Sequence, residues 1–206
     1  MLSFRLKTLR DYYRGESSVW DIGCDHGLLG LSFGDHPSIQ EIHLVDPSEP
    51  VIVALKQYVD AYITIPDSIL SIHHQSGQSV QLSSKSNLVF IAGMGGSEIQ
   101  EIITHLLPQL TADDRLVISP HRKILELRKF LQESSLHLEE EISLYEGGQF
   151  YQILSLSLKA GSKVSPYGEA VWRGEVGEKY KNQQIAAYGA HQDKASLKYL
   201  EYLKSL

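Results

Sequence analysis

Apolar positions along this chain switch repeatedly between two patterns. Short continuous apolar runs occupy 19–22, 42–46, 69–73, 87–92 and 115–119, and between them lie stretches whose apolar residues recur every three to four positions. Continuous runs of that length suit strands buried on both faces, and the longer period suits amphipathic helices. Helices are expected over 4–14, with Phe4, Leu6 and Leu9 as partial core contacts, and over 27–33. Pro47-Ser48-Glu49-Pro50 reads as a helix start, since proline is tolerated in a first turn, and that helix runs through Val51, Ala54, Leu55 and Val59. Gly96 or Ser97 caps the next, Glu98 to Leu107, and Arg122 to Glu133 presents Ile124, Leu127, Phe130 and Leu131 to the core.

After residue 133 the pattern changes. Leu136–Tyr145 and Phe150–Leu158 read as two strands joined through Glu146-Gly147-Gly148, a link short enough for a hairpin. Gly161 to Gly168 reads as a linker. Residues 169–206 look helical, with Tyr180, Ile185, Tyr188, Leu197, Leu200 and Leu203 as the buried stripe. The expectation is an α/β domain over 1–160 with a parallel sheet, then a short helical C-terminal extension over 161–206.

Composition narrows the class. The chain has 206 residues, 42% of them hydrophobic, and no apolar run long enough to span a bilayer. The first residues carry Arg5, Lys7 and Arg10 with no secretion-signal core, so a cytoplasmic location is expected. Cys24 is the only cysteine, which excludes an internal disulfide and a cysteine-rich metal cage. The formal net charge is −6, so nucleic acid would be gripped by a local basic face and not by the whole surface. Two groups qualify: Arg5, Lys7, Arg10 and Arg14, and then Arg115, Arg122, Lys123, Arg128 and Lys129.

The chemistry concentrates in Asp21-Ile22-Gly23-Cys24-Asp25-His26-Gly27. It reads as the end of a strand, a glycine turn and the start of a helix, a geometry that brings a ligand close to free N–H groups. Asp46 ends the next apolar run, where an acid accepts hydrogen bonds from ribose hydroxyls. The turn is not the dinucleotide fingerprint, because Asp25 stands where the second glycine would approach a pyrophosphate. Two carboxylates at the turn, Asp21 and Asp25, favour a cationic nucleoside cofactor without phosphate, and S-adenosylmethionine is one. Neighbouring His73 and His74 have no carboxylate or cysteine at ligand spacing, so no metal is expected.

Asp-Ile-Gly-Cys-Asp-His-Gly, followed by Ala92-Gly93-Met94-Gly95-Gly96 after a later strand, resembles the bacterial tRNA (adenine(22)-N(1))-methyltransferase family. That family carries Asp-Ile-Gly-Ser-Asp-His in its first motif and Ala-Gly-Met-Gly-Gly in its fourth. Leu2-Ser3-Phe4-Arg5-Leu6 resembles its Leu-Ser-x-Arg-Leu start, and Gly148-Gln149-Phe150-Tyr151-Gln152-Ile153 its Gly-x-Tyr-Tyr-Glu-Ile hairpin. The resemblance implies the Rossmann-like class I methyltransferase sheet ending in an antiparallel hairpin. It also implies S-adenosylmethionine as cofactor and tRNA as partner and substrate.

On that basis Asp21, Gly23, Asp25, Gly27, Asp46, Pro47, Ala92 and Gly93 are expected at the cofactor. Gln75 and Ser76 stand where an acid after the third strand would meet its adenine. Asp25 and His26 are expected to act in methyl transfer, and Met94 to line the base pocket through a soft apolar contact. Gly95 and Gly96 give room for the base, Tyr151 is placed to stack it, and Arg5 and Arg122 to meet RNA. Other readings stay open: a methyltransferase for another RNA or a small molecule, or a non-enzymatic RNA- or protein-binding module of the same fold.

Overall fold

A computed structural model describes residues 2–159, 161–191 and 193–206. Seven strands form one sheet: β1 (Ser18–Ile22), β2 (Glu41–Asp46), β3 (Leu70–His74), β4 (Asn87–Ala92), β5 (Arg115–Ser119), β6 (His137–Glu146) and β7 (Gln149–Ser157). Their order is β3-β2-β1-β4-β5-β7-β6, parallel from β3 to β5, with β7 inserted antiparallel between β5 and β6. The helices are α1 (Phe4–Arg10), α2 (Leu28–Leu31), α3 (Glu49–Tyr62), α4 (Gly96–Leu106), α5 (Ile124–Glu133), α6 (Gly174–Tyr188) and α7 (Lys194–Ser205).

The continuous apolar run of β4 is explained by what covers it. Val89 and Ile91 pack in a cluster with Ile99 and Ile103 of α4 and Leu127 and Leu131 of α5. Leu88 and Phe90 face the other way, in a cluster with Leu9 of α1, Leu29 of α2 and Leu55 of α3. Alternate residues point to opposite faces, so a strand covered on both sides is apolar throughout. The sheet order reverses between β1 and β4, which opens a crevice beyond their carboxyl ends, the usual ligand position in such sheets.

Several expected boundaries shift, each for a local reason. The first helix stops at Arg10, where Tyr12 and Tyr13 N–H groups close back on Leu9 and Arg10 carbonyls in tight three-residue steps. The expected helix over 27–33 is only the turn Leu28–Leu31: Gly27 enters it in the left-handed conformation at φ +66°, and the Ser32, Phe33 and Gly34 N–H groups close it in three-residue steps on the Leu29, Gly30 and Leu31 carbonyls. α5 begins at Ile124, since Lys123 has φ +55°, which leaves Arg122 in a loop. The cap of α4 is Gly95.

The basic group of 115–129 does not survive folding as a face. Arg115 is buried against Glu16, and Arg128 is buried against Glu141. Arg128 donates to Glu141 Oε2 at 2.6 Å, to Gln152 Oε1 at 3.0 and 2.8 Å, and to the Ser165 carbonyl at 3.0 Å. Glu141 Oε1 in turn accepts the N–H groups of Glu169 and Ala170 at 2.6 and 2.8 Å. This clasp fastens the segment leading into the C-terminal helices onto β6, β7 and α5. There Val171, Trp172, Tyr180, Tyr199 and Leu203 form a third cluster against Leu125 and Phe150. Leu197, expected in that stripe, is 42% exposed, and Tyr199 takes the inward position.

Candidate active site

The crevice is a cavity of about 530 Å³, within the range of about 300–1,000 Å³ usual for small-molecule sites. Its floor is the turn after β1. Gly23 sits there at φ +73°, and a Cβ on it would lie 2.0 Å from the Met94 methyl, so Met94 closes over the turn only because this residue is glycine. The Gly23 and Cys24 N–H groups both bond the Val45 carbonyl, at 2.8 and 3.1 Å, which ties the turn to the end of β2. Asp25 follows at φ +49°, a left-handed position that Asp tolerates better than most residues.

Four carboxylates line this cavity: Asp21, Asp25, Asp46 and Glu98. Asp46 is buried and both its oxygens hold loop backbone, Oδ1 accepting from Ser48 N at 2.9 Å and Oδ2 from Asp25 N at 3.3 Å. Each oxygen keeps a further lone pair for a ligand. Asp21 is 5% exposed and accepts one hydrogen bond, from Gly30 N at 2.9 Å. Burial pushes its carboxyl up from 3.8 to about 7; the Gly30 bond opposes the rise, and the charges of Asp46 and Asp25 add to it. Burial likewise raises the Cys24 thiol, with Asp21 and Asp46 adding, so Cys24 stays a protonated packing residue.

The opposite wall is built by α1 and the loop after β5. Arg5 Nη1 lies 2.9 Å from His121 Nε2, and its guanidinium sits 4.8 Å over the Tyr151 ring. The Arg5 backbone N–H donates to Glu146 Oε1 at 3.1 Å, which fixes the start of α1 to the hairpin. The adjacent aromatics of β7 divide as strand alternation requires: Tyr151 faces this wall and Phe150 stacks on Tyr180 at 5.0 Å.

Methyltransferase domains form the family whose model matches residues 2–154. This chain belongs to that methyltransferase family. Among curated proteins it is similar to the tRNA (adenine(22)-N(1))-methyltransferase of Bacillus subtilis, 27% identical over 179 residues, 81% of this chain and 74% of that one. Among solved structures it is similar to a Streptococcus pneumoniae protein in complex with S-adenosyl-L-methionine: TM-score 0.85, 22% identity, 100% of this chain and 99% of that chain. The m1A22 tRNA methyltransferase of B. subtilis superposes with a TM-score of 0.79 at 21% identity, over 100% of this chain and 95% of that chain. At those identities the superpositions speak for the fold, which is the Rossmann-like methyltransferase sheet with its closing hairpin.

In this methyltransferase Asp21, Gly23, Asp25, His26, Asp46, Pro47, Ala92, Gly93, Met94 and Arg5 all reach the one cavity. Gln75 and Ser76 lie just outside it; Gln75 N bonds the Asp46 carbonyl at 3.2 Å and Ser76 Oγ meets Ser79 Oγ at 3.1 Å. Gly27 serves the turn itself, packed so closely that a Cβ would lie 2.8 Å from Leu55 Cδ1. Gly96 is a packing glycine: a Cβ there would meet the Lys123 carbonyl at 2.4 Å, and its N–H bonds the Arg122 carbonyl at 2.8 Å. Gly95 is open but outside the cavity, and Arg122 lines a neighbouring groove beside His121. His73 bonds His43 at 3.0 Å while His74 turns to the Pro47 carbonyl.

Sequence reasoning missed two wall residues, His121 and Glu98. Pro120-His121-Arg122 directly follows a buried strand, so the loop-after-strand rule that singled out Ala92 and Gly93 applied to His121 as well.

Proposed function

We propose that this protein is an S-adenosylmethionine-dependent methyltransferase that methylates N(1) of an adenine in tRNA. The observation that carries the cofactor is the carboxylate set at the turn. Asp21 is buried with one hydrogen-bond donor and two acidic neighbours, an arrangement that favours a cationic ligand and opposes a pyrophosphate. The tRNA substrate draws support from the activity named for the B. subtilis relative and from the Ala-Gly-Met-Gly-Gly loop at the acceptor side.

When bound, S-adenosylmethionine supplies a methyl group already activated by its sulfonium charge. Asp46 offers its free lone pairs to the ribose hydroxyls, with Pro47 shaping the rim and Gln75 and Ser76 toward the adenine. Asp21 and Asp25 answer the ammonium and sulfonium charges, and Gly23, Ala92 and Gly93 let the backbone come close. Adenine N(1) carries a free lone pair at neutral pH, so the protein has to align and desolvate more than to remove a proton. Asp25 and His26 serve that alignment, Met94 and Tyr151 bound the base, and Gly95 and Gly96 shape the loop. Arg5 at the crevice wall, Arg122 and Lys123 in the neighbouring groove and Arg10 on α1 meet the RNA.

Residues 1–160 constitute the methyltransferase domain in this reading and 161–206 its extension, acting in the cytoplasm. Among the described residues no helix is long and apolar enough to cross a membrane. The test is nucleoside mass analysis of unmodified tRNA incubated with the protein and S-adenosylmethionine. One 1-methyladenosine per tRNA is expected; methylation of another nucleoside, or none together with no cofactor binding by calorimetry, overturns the reading. RNA binding should weaken steeply with salt, and neutralising Arg10, Arg122 and Lys123 together should flatten that slope.

A further inference from the structure

His121 is held from three directions. Its backbone N–H donates to the Met94 carbonyl at 2.9 Å, and its ring Cε1 lies 4.0 Å from where a Cβ on Gly93 would be. Tyr151 packs against the ring at a centroid distance of 5.3 Å and 56°. Arg5 Nη1 reaches Nε2 at 2.9 Å. Arginine can only donate, so Nε2 is the acceptor and the neutral ring carries its proton on Nδ1. Among the described residues nothing accepts that Nδ1–H, and the ring opens onto the crevice beside Met94.

The groups facing this imidazole are Arg5 from α1, Arg122 from its own loop, Tyr151 from β7 and, across the cavity, Glu98 from α4. Burial lowers its pKa from 6.5, and the charges of Arg5 and Arg122 lower it further, so the ring is neutral at pH 7. A second cation on this wall would oppose the positive charge that N(1)-methylation leaves on the adenine ring. A neutral N–H does not.

We propose that His121 orients the acceptor base, presenting its Nδ1–H to a purine ring nitrogen while Arg5 fixes the tautomer and Tyr151 backs the ring. This rests on the adenine-methylation reading. The 6-amino group of adenine carries hydrogens and cannot accept from an N–H; N3 and N7 can. A bond to either fixes which edge of the base turns toward the methyl donor. His121 then contacts substrate, and Arg5 acts through it as a positioning residue.

The experiment pairs His121→Ala and His121→Asn with tRNA carrying 3-deaza- or 7-deaza-adenosine at the methylated position. His121→Ala should lower kcat/KM for tRNA at least tenfold while leaving the calorimetric Kd for S-adenosylmethionine within twofold; His121→Asn, which keeps an N–H donor, should recover part of the loss. One of the deaza substrates should show the same loss with the wild-type protein and no further loss with His121→Ala. The kcat/KM profile should fall on the acid side as the ring protonates below pH 6.5, and His121→Asn should make that fall shallower, keeping only the part set by Asp21 at the cofactor. Nitrogen-15 NMR of the imidazole should show the Nδ1–H tautomer at pH 7, released by Arg5→Met. Wild-type turnover in His121→Ala, losses that multiply on both deaza substrates, or an Nε2–H or charged ring at pH 7 would each overturn the assignment. If the wild-type protein leaves tRNA unmethylated, the base-orienting role falls with the function itself, whereas tRNA methylation that ignores His121 sinks this inference alone.

Discussion

Two carboxylates in this protein are buried almost equally and behave oppositely. Asp21 in the crevice is 5% exposed and Glu141 in the clasp 4% exposed. Asp21 has one N–H donor and acidic neighbours, and burial carries its pKa to about 7. Burial pushes Glu141 up as well, but the Arg128 guanidinium and the Glu169 and Ala170 N–H groups outweigh it, so its pKa falls below 4.5. The difference lies in where the partners are. Glu141 finds all of its partners inside the fold and serves to fasten the C-terminal helices. Asp21 is left short of positive charge in the crevice, a shortfall that the proposed cationic cofactor would meet.

The strongest way to break this contrast is Arg128→Ala. It leaves Glu141 buried without its cation and should cost about 3–5 kcal/mol in urea unfolding. A loss under about 1 kcal/mol would mean that the clasp is not what holds the extension. In the crevice the expected effects fall on function instead. Asp25→Ala should lower single-turnover methyl transfer by roughly tenfold to a thousandfold. Its side chain is 70% exposed, so the melting temperature should move by only a few degrees. Normal transfer in both Asp25→Ala and His26→Ala would reduce this turn to a backbone support.

Asp46→Ala comes next, weakening cofactor affinity by about 1.5–3 kcal/mol, the scale of a hydrogen bond to a charged group. Calorimetry with unchanged affinity would place the ribose elsewhere. The gentlest test is pH. A raised carboxyl binds more protons folded than unfolded, so Asp21 costs stability progressively as pH rises from about 4 to about 7. Asp21→Asn keeps an acceptor for Gly30 and lacks that cost, so its melting temperature should gain on wild type between pH 5 and pH 8. Glu141 has the opposite sign: its contribution is present above 4.5 and is lost as pH falls through its lowered pKa. Identical pH responses in Asp21→Asn and Glu141→Gln would erase the distinction.

Much of the crevice is legible in the sequence. The turn at Gly23, the acid ending β2 and the loop after β4 all follow strands whose apolar runs are unmistakable, and in a parallel sheet such loops share one edge. The misreadings have two origins. Arg115 and Arg128 looked like surface charge because their partners lie 99 and 13 residues away, at Glu16 and Glu141. The helix expected over 27–33 is cut to one turn by a left-handed entry at Gly27 and three-residue closing bonds after Leu31, which composition does not report.

By itself, then, the sequence determined the alternation of strands and helices, the closing hairpin, and a carboxylate-bearing glycine turn suited to a cationic nucleoside. These are short-range properties: period, turn chemistry and charge within a few residues. Only the tertiary structure decided which charges are buried in pairs, how far each acid's pKa moves, and that Arg5, His121 and Tyr151 make one wall. Those outcomes depend on desolvation and on partners brought together across 116 residues of chain, distances over which local pattern carries no information.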